Sequence, residues 1–235
     1  MKSSAVCDAL QAALEPLADP VRAAGMSAYM KGKFPYLGIP SPQRRAAVLP
    51  VMRELKSASA QELLALADVL WAMQQREYQY VAVDMLAKYS RHLGGGDVAH
   101  LLSLAQKKSW WDSVDGLSGT IGDILQRCLA TDGKVQLEMD RALEHPDFWV
   151  RRIAMIHQLG WRDDTDVERL FHYARQLAHE KEFFIRKAIG WALRDYAWHD
   201  AESVAAFLAE TKGLLAPLSY REASKHLERL QSGTT

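Results

Sequence analysis

An all-α fold is what this sequence predicts, on three observations. Ala, Leu, Glu, Gln, Arg and Lys, all good helix formers, fill about half of the positions. Apolar residues recur at helical spacing, as at Leu63, Leu66, Ala67 and Leu70. Strand-like alternation bounded by Asn-Gly or Asp-Gly turns is absent.

The helix starts recur. A polar cap before an apolar stripe appears at Ser41-Pro42-Gln43-Arg44-Arg45-Ala46 and at Glu77-Tyr78-Gln79-Tyr80-Val81-Ala82. Comparable starts follow at Ser109-Trp110-Trp111, Asp147-Phe148-Trp149-Val150-Arg151-Arg152, Glu182-Phe183-Phe184-Ile185-Arg186-Lys187 and Ser219-Tyr220-Arg221-Glu222-Ala223. Starts at 41, 77, 109, 147, 182 and 219 lie 36, 32, 38, 35 and 37 residues apart. The copies at 147 and 182 share the order acid, aromatic, aromatic, β-branched, Arg, basic. A period of about 35 to 40 residues with two helices per unit indicates an α-solenoid of about six HEAT-like repeats, a right-curved superhelix forming one domain over residues 1–235. A compact helical bundle is the alternative. Gly94-Gly95-Gly96 reads as a loop between the second and third units, and it lacks the Gly-Lys-Ser/Thr ending of a phosphate loop.

Composition narrows the function. The chain has 235 residues, enough for a sizeable core. Lys plus Arg equals Asp plus Glu at 29 each, so any grip on nucleic acid requires positive charge gathered on one surface. No apolar run approaches the roughly 20 residues that span a bilayer. The N-terminus lacks a basic region followed by an apolar core, and Cys7 and Cys128 stand alone. The expectation is a cytoplasmic protein without disulfides, structural zinc or a membrane anchor.

Helical phasing at about 100° per residue then compares the repeat faces. Trp111, Asp115, Arg152, Lys187, Trp191, Arg194, Arg221 and Lys225 fall within an arc of about 120° when each is counted from its own repeat start. The arc holds five basic residues, two tryptophans and a carboxylate. It also holds Val83, Leu86, Ile156 and Leu159, and it excludes Arg45, so it is partly core-facing or its register shifts. Basic residues on such an arc either solvate an exposed helix face or bind DNA phosphates. Asp163-Asp164-Thr165-Asp166, in a loop, would then face away from the DNA.

Trp111 and Asp115 are four residues apart, one turn on one helix face. Lys187 and Trp191 are likewise four apart, and Trp191 and Arg194 three. A carboxylate among indole rings suits a site that holds positive charge. Glycosidic cleavage passes through such a charge, the oxocarbenium-like sugar. The plainer reading makes the tryptophans core residues and the Asp a helix-dipole partner. Trp110, about 100° round from Trp111, is the packing member of the pair. No metal, cofactor or other catalytic constellation is indicated; His172 and His179 could share a face, but two ligands do not define a site.

At these residues the sequence resembles a known family. Lys108-Ser109-Trp110-Trp111-Asp112-Ser113-Val114-Asp115 and Phe183-Phe184-Ile185-Arg186-Lys187-Ala188-Ile189-Gly190-Trp191-Ala192-Leu193-Arg194 are similar to the AlkD-like alkylpurine DNA glycosylases of the DNA alkylation repair family. Further matches are Ala28-Tyr29-Met30-Lys31, Tyr36-Leu37-Gly38-Ile39 with Pro42 and Arg44-Arg45, and Leu215-Ala216-Pro217-Leu218-Ser219 with Arg221-Glu222-Ala223. The resemblance implies HEAT-like repeats with duplex DNA on a basic concave face. It implies hydrolysis of the N-glycosidic bond of cationic 3-methyladenine- and 7-methylguanine-type lesions without base flipping, by a monomer, leaving an intact abasic site. It implies a nucleoid-associated cytoplasmic location. Asp115 would stabilise the sugar cation and position water, and Trp111 and Trp191 would pack on the sugar-phosphate. Tyr29, Arg45, Arg152, Lys187 and Arg194 would contact DNA. Pro40 and Tyr220 depart from the family pattern. The competing reading is a non-catalytic solenoid that binds DNA or a protein partner.

Overall fold

Helix caps and apolar stripes divide this chain as its local chemistry dictates. The computed structural model describes residues 3–231. Among the described residues thirteen α-helices and short 3-10 turns carry the chain, and no strand occurs. The helices are α1 (Ser3–Leu14), α2 (Pro20–Tyr29), α3 (Ser41–Glu54), α4 (Ala60–Ala72), α5 (Arg76–Lys88), α6 (Val98–Ala105) and α7 (Trp111–Leu129). They continue as α8 (Leu137–Leu143), α9 (Phe148–Ile156), α10 (Val167–Gln176), α11 (Phe183–Tyr196), α12 (Ala201–Glu210) and α13 (Pro217–Gln231). The odd helices from α3 onward start at 41, 76, 111, 148, 183 and 217, each within two residues of its expected start, with one helix between successive pairs.

Contacts group the chain into two units, Met1–Lys108 and Ser109–Thr235. In the first, α4 packs on α5 and α6, and α1 packs on α3 and α4. Ser59 and Glu62 form a reciprocal cap: the Ser59 hydroxyl accepts from the Glu62 N–H, and the Glu62 carboxylate accepts from the Ser59 N–H. The stripe of Leu63, Leu66, Ala67 and Leu70 that follows is buried, as its spacing demands. Glu77, expected to open a repeat as a cap, instead lies inside α5 and fully buried. Its carboxylate accepts from the backbone N–H groups of Leu37, Gly38 and Ile39 at 2.9, 2.8 and 3.2 Å. Gly38 permits that loop: its φ is +92°, and a Cβ there would lie 2.1 Å from the Asp19 carbonyl oxygen.

In the second unit α7 packs on α9, α9 on α11 and α11 on α13, while α8 lies against α9, α10 against α9 and α11, and α12 against α11 and α13. Asp147 caps α9 by accepting from the Trp149 N–H at 2.8 Å. Two expected caps belong elsewhere. The N-cap of α7 is the extended Trp110 rather than Ser109. Ser219 is buried within α13, and its hydroxyl donates to the Arg186 carbonyl at 2.9 Å. In both cases a tertiary partner outweighs the local capping preference. Trp110 packs as its phase indicates, edge-on to Phe184 and Trp149 with ring centroids 5.2 and 5.9 Å apart. Asp163 and Asp164 lie in a 3-10 turn, and Asp166 caps α10. No described helix is long and apolar enough to cross a membrane.

Candidate active site

Four helices of the second unit, α7, α9, α11 and α13, bring the site together. Trp111 is the first residue of α7, and Asp115 follows one turn later. Arg152, on α9, is only 1% exposed. Its guanidinium meets the Asp115 carboxylate as a fork: Nε donates to Oδ1 and Nη2 to Oδ2, both at 2.8 Å. Nη1 donates to the Phe184 carbonyl at the start of α11. The arginine is thus held from two sides, and its planar fork fixes the plane of the carboxylate. The Asp115 side chain remains 25% exposed. A carboxylate offers about four lone-pair sites, so two bonds from Arg152 leave one site on each oxygen for water or substrate.

Trp191 comes next. The Arg152 guanidinium carbon lies 5.2 Å from its ring centroid and the Lys187 Nζ 5.3 Å, both within cation–π range. By the family resemblance this indole was expected to pack on the sugar-phosphate. The protein's own two cations already engage the ring, so Trp191 is a fixed wall that can pack against a sugar. Lys187 Nζ in turn reaches Glu222 Oε1 on α13 at 3.1 Å. Arg194 Nη1 reaches Glu222 Oε2 at 2.9 Å, and Lys225 Nζ reaches Oε1 at 2.7 Å. Asp115, Arg152, Trp191, Lys187, Glu222, Arg194 and Lys225 therefore form one continuous run of contacts.

Glu222 was the residue that sequence reasoning left without a role. Its side chain is 7% exposed. Burial pushes its carboxyl up, but the hydrogen bonds and charges of Lys225 and Lys187 outweigh that and hold it down at about 2. The only local signal was the spacing of Glu222 and Lys225, three apart on one helix. The close approach of α11 to α13 that creates the cluster depends on Gly190, where a Cβ would lie 2.4 Å from Glu222 Cβ and 2.9 Å from the Ser219 carbonyl oxygen. Four cations and two carboxylates share the network, so a neutral chain gathers positive charge here.

The remaining expected residues are placed as follows. Trp111 is half-buried, and Arg221 is exposed on α13. Tyr29 is 73% exposed at the end of α2. With Met26, Met30, Tyr36, Pro40 and Tyr80 it lines an apolar cleft of about 430 Å³ in the first unit. Arg45 is exposed on α3 and pairs with both oxygens of Asp84 at 3.1 and 3.2 Å. Lys108, which opens the Trp-Trp-Asp segment in sequence, belongs to the first unit, where its Nζ donates to the Ala72 and Met73 carbonyls. No group of three or more metal-ligating side chains is found among the described residues.

This arrangement has relatives. The family described as DNA alkylation repair enzyme matches residues 10–227. The chain belongs to that family. A solved structure titled "Predicted DNA alkylation repair enzyme from Enterococcus faecalis" is similar at 32% identity and a TM-score of 0.81, over 89% of this chain and 96% of that one. No curated protein matches. The matched span takes in Asp115, Arg152, Trp191 and Glu222, so the contact network lies within the region that the family model matches.

Proposed function

We propose that this protein is a monofunctional DNA glycosylase that hydrolyses the N-glycosidic bond of cationic alkylated purines, of the 3-methyladenine and 7-methylguanine type, in duplex DNA. The observation that carries the reading is the Asp115–Arg152 pair, a buried fork that orients a carboxylate whose outer edge stays open. Such a carboxylate can stabilise positive charge developing on the deoxyribose and hold a water against the anomeric carbon. Because the base already carries the positive charge, it leaves as a neutral purine without a strong general acid. Arg152 acts as a positioning residue for Asp115. Trp111 and Trp191 flank the sugar.

Lys187 and Arg194, steered by Glu222, and the exposed Tyr29 and Arg45 of the first unit serve as DNA contacts in this reading. Base flipping is not required when the reacting groups meet the sugar. The even spacing of α3, α5, α7, α9, α11 and α13 supports a HEAT-like solenoid with DNA on its concave face.

Free base released from methylated duplex DNA by the wild type and by Asp115→Asn tests the proposal. Loss of release with retained DNA binding is expected. Equal release by both proteins would remove Asp115 from the chemistry. A protein that releases no base yet binds an acidic partner insensitively to salt would instead be a scaffold.

A further inference from the structure

A second basic feature lies beyond the network just described. Near the C-terminal end of α11 and the second half of α13, Arg194, Trp198, Lys225, His226 and Arg229 line a cavity of about 390 Å³. Every ionisable group in that lining is basic. His226 is 7% exposed, and its Nδ1 is buried without a hydrogen-bond partner. Buried polar atoms left unsatisfied are rare in folded proteins, and this one sits where cations converge. The His226 ring stacks on Trp198 with centroids 3.8 Å apart and planes at 28°. Trp198 nevertheless remains 61% exposed.

The donors outnumber the acceptors on hand. Arg194 has five N–H donors and Lys225 three. Glu222 accepts one from each, through Arg194 Nη1 and Lys225 Nζ. What the cavity calls for is an anion with several oxygens, small enough to sit among guanidinium, ammonium and imidazole groups, and attached to something that can lie on an indole face. A phosphodiester with its deoxyribose has that chemistry. Arg194 stands one turn from Trp191 on α11, so the cavity continues the run of contacts that begins at Asp115.

We infer that this cavity is a second backbone site, which takes one DNA phosphodiester away from the lesion while Asp115 faces the lesion sugar. The inference rests on the DNA reading above. Lys225, Arg229 and Arg194 donate to the non-bridging oxygens. His226, with its proton on Nδ1, supplies one more donor. Trp198 packs against the attached deoxyribose. The site anchors the strand at a fixed distance from Asp115 and so sets the register in which a lesion meets it.

The test is a linkage scan. Duplexes carrying one non-hydrolysable alkylpurine analogue at a fixed position, each with a single neutral methylphosphonate linkage, are titrated against the wild type, a Lys225→Ala/Arg229→Ala variant and a His226→Phe variant. Lys225 and Arg229 are exposed, and His226→Phe keeps the stack on Trp198, so folding of each is checked by its melting curve. One linkage is expected at which neutralisation weakens the wild type about tenfold, while the double variant is already weaker on the duplex without a neutral linkage by about that factor, with a salt slope shallower by roughly 1 to 2. That variant should then be indifferent to the same linkage, and His226→Phe should show part of that indifference. A structural defect would weaken binding without erasing one linkage. Equal linkage sensitivity in all three proteins overturns the inference and leaves the DNA reading standing. A wild type that binds no duplex DNA overturns both. If millimolar inorganic phosphate moves the His226 imidazole resonances while duplex DNA does not, the cavity is a free-phosphate site and the inference fails.

Discussion

Arg76 in the first unit and Arg152 in the second occupy nearly identical local situations. Each is buried, and each donates through Nη1 to a main-chain carbonyl 32 residues later: Arg76 to Lys108, Arg152 to Phe184. Their other faces differ. Arg76 lies over the Phe34 ring at 3.9 Å. The carboxylate beside it, Glu77, is fully buried and accepts from three backbone N–H groups. Arg152 turns its fork to Asp115, whose side chain is a quarter exposed. The two carboxylates therefore differ in what they have left to offer. Where backbone donors occupy the lone pairs the charge stabilises a loop; where some face outward it can act on a substrate.

The comparison is most severely broken at Arg152. Arg152→Ala leaves Asp115 without its fork and the Phe184 carbonyl without this donor, and is expected to cost about 3 kcal/mol in urea unfolding as well as activity. Arg76→Ala should cost a similar amount of stability, yet leave base release per folded molecule unchanged.

Asp115→Asn sharpens the contrast next. Release of 7-methylguanine should fall about 100-fold, equivalent to about 2.7 kcal/mol of transition-state stabilisation. Binding to undamaged duplex, read by fluorescence anisotropy, should persist.

Glu77→Gln is the counterpart in the first unit. It removes the charge from a buried acceptor of three N–H bonds, for an expected loss of about 2 kcal/mol on thermal or urea unfolding. Release per folded molecule should match the wild type. A selective loss of chemistry there would place Glu77 in the reaction and dissolve the contrast.

The smallest effect is the acid limb of stability contributed by Glu222. Its carboxyl sits at about 2 in the folded protein against an ordinary value of 4.5. A depressed acid contributes stability above its unfolded value and loses it as pH falls through the folded one. Unfolding followed between about pH 4.5 and 2 should therefore be less steeply acid-dependent in Glu222→Gln than in the wild type.

Much of this was legible in the residues. Six helix starts were placed within two residues, because a 3.6-residue apolar period and its punctuation are local properties. Six of the eight side chains on the angular arc, Asp115, Arg152, Lys187, Trp191, Arg194 and Lys225, fall into one run of contacts. Phase gives direction around a helix but not depth. Arg152 shares the arc with Lys187, yet it is buried beneath Asp115 whereas Lys187 keeps partial exposure. Glu222 was quoted only as part of a matching string. Its three cationic partners come from two helices, and α11 can reach α13 so closely only because position 190 lacks a side chain. Ser109, Ser219 and Glu77 show the converse. Each has the polar chemistry of a helix start, yet none serves as the expected cap.

By itself, then, the sequence determined the all-α class, the spacing of the helices, the family resemblance and the helical arc that most residues of the contact network share. These depend on backbone periodicity and residue type over a few turns. Only the tertiary structure decided that Asp115 is aimed by Arg152, that Trp191 is held by cations rather than open to one, and that Glu222 collects Lys187, Arg194 and Lys225. The ion pairs among these outcomes are set by distances of about 3 Å, and apart from Glu222 with Lys225 they join residues 28 to 37 apart in the chain.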